Sequence, residues 1–257
     1  MGFSADWLAL REPADHAARD SALLAAAGQA AGPRPVIVDL GCGTGSTIRA
    51  FSGHLADQAE WRLVDNDPAL LTRAASAADG HVSVHRIDLR DLDALPLAGA
   101  SLVTASALLD LCSQEWVSAL AQRLAQRKMP FYAALNYDGV MHWTPADDRD
   151  AIVTQAFNRH QRGDKGFGPA LGPDAPAMID AIFTKAGYHV QQADSPWKID
   201  TAQSALQREL LQGIAQAATE AGAPDAQNWL KARHDAADHA LCHIGHRDIL
   251  ALPAGAT

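Results

Sequence analysis

The chain has no block of basic residues: 21 Lys and Arg are scattered among 30 Asp and Glu, for a formal charge of −9 over 257 residues. Nucleic-acid binders need a cationic stripe against phosphates, so DNA and structured RNA are not expected as partners. Cysteine is scarce too. Cys42, Cys112 and Cys242 lie far apart without CxxC spacing, which excludes a disulfide framework and fits reduced thiols. No long apolar run opens the sequence, since MGFSADWLALREPADHAARD is charged along its length. Neither a signal peptide nor a membrane span is therefore expected, and a soluble cytoplasmic protein is the default. Metal-ligand spacings, Ser/His/Asp signatures, internal repeats and low-complexity tracts are also missing. The expectation is no metal and no covalent intermediate.

What is present is an alternation of short apolar runs and helical spacings. An alanine-rich stretch at 15–30 suggests a leading helix, closed by Pro33 and Pro35. Strand-like runs follow at 36–39, 61–64, 82–87, 102–105 and 131–135. Between them, 47–55 reads as a helix. Asp67-Pro68 caps another, with Leu70, Leu71 and Ala74 on its inner face. Ser113 caps a third, whose buried stripe is Trp116, Val117, Leu120 and Leu124. Strand, helix, strand repeated this often predicts a parallel sheet covered on both faces. The second half is less regular. It offers a helix near 147–160, the loop RGDKGFGPALGP, and a helix bearing Met178, Ile179, Ile182 and Phe183. Beyond these come a strand at 188–192, helices near 201–221 and 225–238, and a last strand near 240–250.

The first run leads into VIVDLGCGTGS, residues 36–46. Its glycines, Gly41, Gly43 and Gly45, suit a nucleotide-like cofactor. The dinucleotide fingerprint wants a third glycine where Ser46 stands, and the lysine of a phosphate-binding loop is absent. Asp39 would repel a pyrophosphate docked at the turn, whereas S-adenosylmethionine brings a sulfonium and an ammonium that an acidic turn favours. Asp65, at the second strand's tip, can accept protons from ribose hydroxyls. Asp88, at the third, can accept from an adenine amine.

VIVDLGCGTGS, followed by WRLVDNDPALL, RIDL and SLVTASALLDL, resembles the class I S-adenosylmethionine-dependent methyltransferase family over roughly residues 35–137, and more weakly over 174–193. The resemblance implies a Rossmann-like, doubly wound α/β sheet of seven strands, six parallel and the last antiparallel. It implies that the glycine turn, through Asp39, Gly41 and Gly43, approaches the methionine portion of the donor. Asp65 then binds ribose, Asp88 with Leu89 meets adenine, and Ser106 touches the amino-acid end. Cys42 and Asn66, adjoining these, complete the cofactor set. One domain is expected over 1–257. It would comprise a helical segment (1–34), a donor-binding core (35–137) and insertions capping the acceptor side (138–173 and 197–238).

The segment after the fourth strand, SALLDLCSQEW, lacks the Asn-Pro-Pro-aromatic tetrapeptide of enzymes that methylate adenine or glutamine amines, which argues against those substrates. Asp110, Asp138 and His142 are the candidate catalytic groups, since a base is needed only where the acceptor keeps its proton until it reacts. Tyr137, Trp143, His160, Arg162, Lys165 and Phe167 are the candidate acceptor contacts. The basic residues in FNRHQRGDKGFG could clamp an anion. Trp197 could wall the pocket. Arg11, His16 and Arg19 could close over the donor, but helix-surface charges are the commoner reading. The expected function is methyl transfer to a small-molecule acceptor, by hydroxyl, amine or carboxylate, in a protein that could be a homodimer. The alternatives are a protein or RNA methyltransferase of the same fold, a nicotinamide-dependent oxidoreductase and a non-catalytic donor-binding module.

Overall fold

The computed structural model describes residues 3–55, 59–78 and 80–255. Two helices lead, α1 (Ala5–Ala18) and α2 (Ser21–Ala30), where the sequence suggested one over 15–30. Asp20 separates them: its side chain accepts from Leu23 N (2.8 Å), so it caps a new helix instead of continuing the old one. There follow β1 (Val36–Leu40), α3 (Ser46–Ala50), β2 (Glu60–Asp65), α4 (Pro68–Ser76), β3 (His81–Arg86), β4 (Leu102–Ser106) and α5 (Gln114–Gln126). The helix expected over 47–55 stops at Ala50, where the chain enters turns. Asp67 caps α4 and Ser113 caps α5, both through side-chain oxygens accepting amides of the first turn.

The second half contains β5 (Phe131–Thr144), α6 (Asp150–Gln161), α7 (Ala175–Lys185), β6 (Tyr188–Asp194), β7 (Trp197–Ile199), α8 (Ser204–Glu220), α9 (Ala226–Ala236) and β8 (Leu241–Pro253). Strand β5 runs nine residues past the expected end at Leu135, so 138–144 is strand and not loop insertion. Asn136-Tyr137-Asp138-Gly139 looks like a turn in sequence, but the ladder to β8 absorbs it with irregularities between Ala133 and Asn136 and between Tyr137 and Met141.

The sheet order is β3-β2-β1-β4-β5-β8-β6, with β7 pairing to an extension of β8. Strands β1 to β5 run parallel to one another, and β8 runs antiparallel between β5 and β6. The expected seven-stranded arrangement is present, and the short β7 makes an eighth strand. On β1 the alternation sorts the two faces: Ile37 packs with α2 and α4, whereas Val38 and Leu40 pack with α5 and α7. A third cluster joins α1, α6, α8 and α9 to the far ends of β5 and β8, through Trp143, Trp197, Trp229 and Ile244. Among the described residues no helix is long and apolar enough to cross a membrane.

Candidate active site

The carboxyl ends of β1 to β5 form one edge, and the glycine turn leaves it first. Gly41, Gly43 and Gly45 have φ of 64°, 53° and 84°, the left-handed region that side chains resist. A Cβ on Gly43 would stand 3.1 Å from Leu8 of α1, so this turn is covered by the N-terminal helix. Two polar ties hold α1 there. Arg49 donates to Glu12 (2.7 Å), and His16 Nε2 lies 3.1 Å from Ser46 Oγ. Cys42 is buried, its amide donates to Val64 O, and desolvation pushes its thiol far above the usual range.

The acidic residues at the strand tips differ sharply. Asp39 is 1% exposed and accepts from Thr104 Oγ1 (2.8 Å), while its Oδ2 has no partner. Burial pushes its carboxyl up to about 7, against the pull of Thr104 and Arg19. Asp65 accepts from Gly43 N (3.0 Å) and Asp67 N (3.0 Å), so it braces the glycine turn. Asn66 is exposed, and its backbone oxygen accepts from Arg86 Nε (3.3 Å). Asp88 is held by Arg90, through its backbone amide (2.9 Å) and a fork of its guanidinium, which brings the carboxyl down to about 2. Leu89 is buried, and its carbonyl accepts from Trp116 Nε1 (2.7 Å).

Arginines expected on a helix surface lie inside. Arg11 and Arg19 are 9% and 7% exposed. Arg19 donates to Ser106 Oγ (2.9 Å), yet its Nε and Nη1 are buried without a partner. Arg11 forks onto Asp15 (2.9 and 3.0 Å) and lies over Trp197, 4.9 Å from the ring centroid. Trp197 in turn donates to Asp15 (2.9 Å). The spacing Trp7, Arg11, Asp15 puts one residue per turn on a single helix face, and this was the signal available in the sequence.

Asp110 sits in the single 3-10 turn that follows β4. Ala107, at φ 49°, swings the chain into it. One carboxylate oxygen is buried without a partner, and desolvation raises the group to about 6 despite the nearby positive charge of Arg11. Tyr137 is buried, donates to Asn158 (2.8 Å) and lies edge-on to His246 (6.2 Å between centroids). His246 was not anticipated. A histidine and an aspartate at alternate positions of the last strand, His246 and Asp248, both buried, were its trace in the sequence.

The other anticipated residues fall elsewhere. Asp138 accepts from Val140 N (3.0 Å) and presses against Gly245, where a Cβ would lie 2.1 Å from its oxygen. His142 is exposed and projects from β5 opposite to Met141 and Trp143. Trp143 is core, edge-on to Trp229 at 5.3 Å and under Arg233 at 5.3 Å. The basic loop is not a free clamp: Arg162 forks onto Asp174 (2.8 and 3.1 Å), and His160 meets Glu220 (2.9 Å) and Lys165 (3.1 Å). Phe167 packs edge-on against Trp116 at 5.5 Å.

Residues 37–127 match the protein family described as "Methyltransferase domain". No curated protein sequence matches the chain. Among solved structures it is similar to a cyclopropane synthase from Mycobacterium tuberculosis, with 13% identity, TM-score 0.54, and coverage of 97% of this chain and 94% of that one. A protein assigned as a type II methyltransferase from Anaeromyxobacter dehalogenans is similar at 16% identity and TM-score 0.53, over 90% and 96% of the two chains. So is a protein assigned as a methyltransferase from Bacillus halodurans, at 12% identity and TM-score 0.51, over 90% and 97%. The likenesses establish a shared fold along the whole chain.

Proposed function

We infer that this S-adenosylmethionine-dependent methyltransferase, whose methyltransferase domain lies within a class I Rossmann-like fold, acts on a small molecule enclosed beneath its N-terminal helix. The domain match displaces the nicotinamide-dependent alternative. The observation that carries the small-molecule reading is the burial of Arg11, Arg19, Asp39 and His246, with one buried oxygen of the half-buried Asp110, between α1 and the strand tips; all but Arg11 carry unpartnered atoms. A flat site for a protein or RNA would keep such groups in water. Buried polar atoms without partners are costly, and a small ligand with matching polar groups removes the cost.

In this reading the donor lies along the tips of β1 to β4. Gly41, Cys42 and Gly43 approach its methionine portion, and Ser106 and Arg19 take its carboxylate with the guanidinium hydrogens that have no protein partner. Asp65, beside Asn66, exchanges the Gly43 amide for ribose hydroxyls. Asp88 and Leu89 flank adenine. Asp39 balances the charge of Arg19, so the pocket suits a zwitterion with an added sulfonium better than a diphosphate. Of the three catalytic candidates, Asp110 is the one with a buried, unpartnered oxygen. Asp138 and His142 are left with structural or solvent-facing roles. When bound, the donor supplies an electrophilic methyl group. The chain's own residues hold the acceptor in line with it and keep water out, which lowers the barrier by alignment.

Differential thermal stability tests this. S-adenosylmethionine and S-adenosylhomocysteine should raise the melting temperature, and NADH should not. Radiolabelled methyl donor should label a low-molecular-weight metabolite fraction. Label found only in protein or RNA would overturn the enclosed-acceptor reading.

A further inference from the structure

We propose that His246 and Asp110, both gathered around Arg11 and Tyr137, form the acceptor subsite, and that it takes a flat-ringed molecule bearing a neutral hydroxyl or amine. This rests on the methyl-transfer reading above and adds the class of acceptor.

The geometry is assembled from three elements. From β8, His246 reaches under α1, 7% exposed, with its ring 5.2 Å from that of Trp197 and 6.2 Å from that of Tyr137. From α1, the Arg11 guanidinium covers the Trp197 ring. After β4, Asp110 sits in the 3-10 turn Leu109–Leu111, which packs against β5, the strand that carries Tyr137; it is near enough to Arg11 and Tyr137 to feel the charge of the first and oppose ionisation of the second. His246 Nδ1 and Asp110 Oδ1 are both buried without a hydrogen-bond partner. Burial, reinforced by Arg11, holds the imidazole neutral far below its ordinary range, down to about 3. Arg11 is itself neutralised by Asp15, so the subsite offers no free cation for an anionic acceptor.

Two unpartnered atoms between aromatic walls fit an acceptor with an N–H or O–H on a ring. The Asp110 carboxylate takes the proton from the nucleophilic nitrogen or oxygen. That atom's lone pair forms the new bond to carbon while the carbon–sulfur bond breaks and its electron pair returns to sulfur. The sulfonium becomes a neutral thioether, and the proton leaves later from Asp110 to solvent. His246 Nδ1 hydrogen-bonds the acceptor and sets its angle, so it is a binding and positioning residue and Asp110 is the catalytic one. A carboxylate acceptor has no proton to give and would be repelled by Asp110.

The test uses the full chain and three ring probes: phenols, anilines and benzoates. Calorimetry with S-adenosylhomocysteine comes first; if the wild-type chain does not bind it, the donor reading itself fails, separately from this proposal. With donor binding intact, labelled donor should methylate phenols or anilines and not benzoates. Asp110→Asn should lower kcat by about 100-fold with KM nearly unchanged. His246→Gln should raise KM for the probe by about tenfold with a much smaller change in kcat. Both variants should keep S-adenosylhomocysteine affinity within about twofold of wild type. Should a variant fold poorly, the ¹⁵N resonances of His246 in the wild-type chain serve instead, shifting when phenol or aniline is added to the S-adenosylhomocysteine complex. Benzoate as the preferred acceptor, unchanged kinetics in both variants, or unmoved His246 resonances with every probe would each overturn the proposal.

Discussion

At the tips of β2 and β3 each carboxylate is satisfied nearby: Asp65 by the amides of Gly43 and Asp67, Asp88 by Arg90. Beneath α1, Asp39, Asp110 and His246 each leave a buried atom without a partner. The first arrangement can exchange its bonds for those of a ligand at small cost, because partners and solvent are close. The second cannot, and holds a standing penalty until something fills it. Not every buried carboxylate in that layer is left so. Asp248 accepts from Tyr132 Oη (2.9 Å), Leu135 N (2.8 Å) and Asp20 N (3.0 Å), tying β8 to β5 and to the start of α2. An unmet polar atom is therefore a local choice, and those under α1 are the atoms on which the proposed site rests.

The strongest way to break this contrast is to turn the satisfied member into an unsatisfied one. Asp248→Ala would strand three donors, two of them buried, the Tyr132 hydroxyl and the amide of left-handed Leu135. It should cost about 3–5 kcal/mol in urea unfolding. Asp65→Asn probes the exchangeable side. It should weaken S-adenosylhomocysteine binding by about 1.5–3 kcal/mol in calorimetry while changing stability much less.

Acidity sharpens the comparison further. Asp39, raised to about 7, and Asp110, raised to about 6, hold protons in the folded state that the unfolded chain releases near pH 4. Their contribution is complete below that pH and is lost as pH climbs through 6 to 7. His246, lowered to about 3, works the other way, stabilising above pH 6.5 and losing its contribution as pH falls toward 3. Between pH 4 and 6.5 the two effects oppose each other. Asp39→Asn removes one of the two opposing falls and should therefore make the slope of stability against pH across that window more positive by about 1.4 kcal/mol per unit, read from unfolding at a series of pH values. The smallest effect belongs to the exposed Arg162–Asp174 pair: Arg162→Ala should change stability by less than about 1 kcal/mol and leave donor affinity unmoved.

The donor edge was legible in the sequence because its information is local. A glycine needed at positive φ, an aspartate ending a strand and Asp67-Pro68 opening a helix each announce themselves within a few residues. The region under α1 was not, because its meaning depends on contacts between distant segments. Arg11 and Arg19 read as surface charges until β7 and the strand tips cover them. The basic loop read as a clamp, whereas Arg162 is paired with Asp174 and His160 with Glu220. Strand β5 was cut short because Asp138-Gly139 looks like a turn, although Met141 and Trp143 alternate with exposed neighbours beyond it. Asp39 also has the charge of Arg19 beside it. The pocket is a balanced one, and acidity alone does not describe it.

Strand β8 follows every other strand in the chain, yet it lies between β5 and β6 and carries both His246 and Asp248. During synthesis, the ribosome will have released the first five strands long before their inner neighbour exists. Until residues 241–253 emerge, β5 shows a bare hydrogen-bonding edge, and β6 has nothing to pair with. The nascent chain therefore passes through an interval of adhesive, half-closed sheet, and closure comes as one late event that also assembles the pocket.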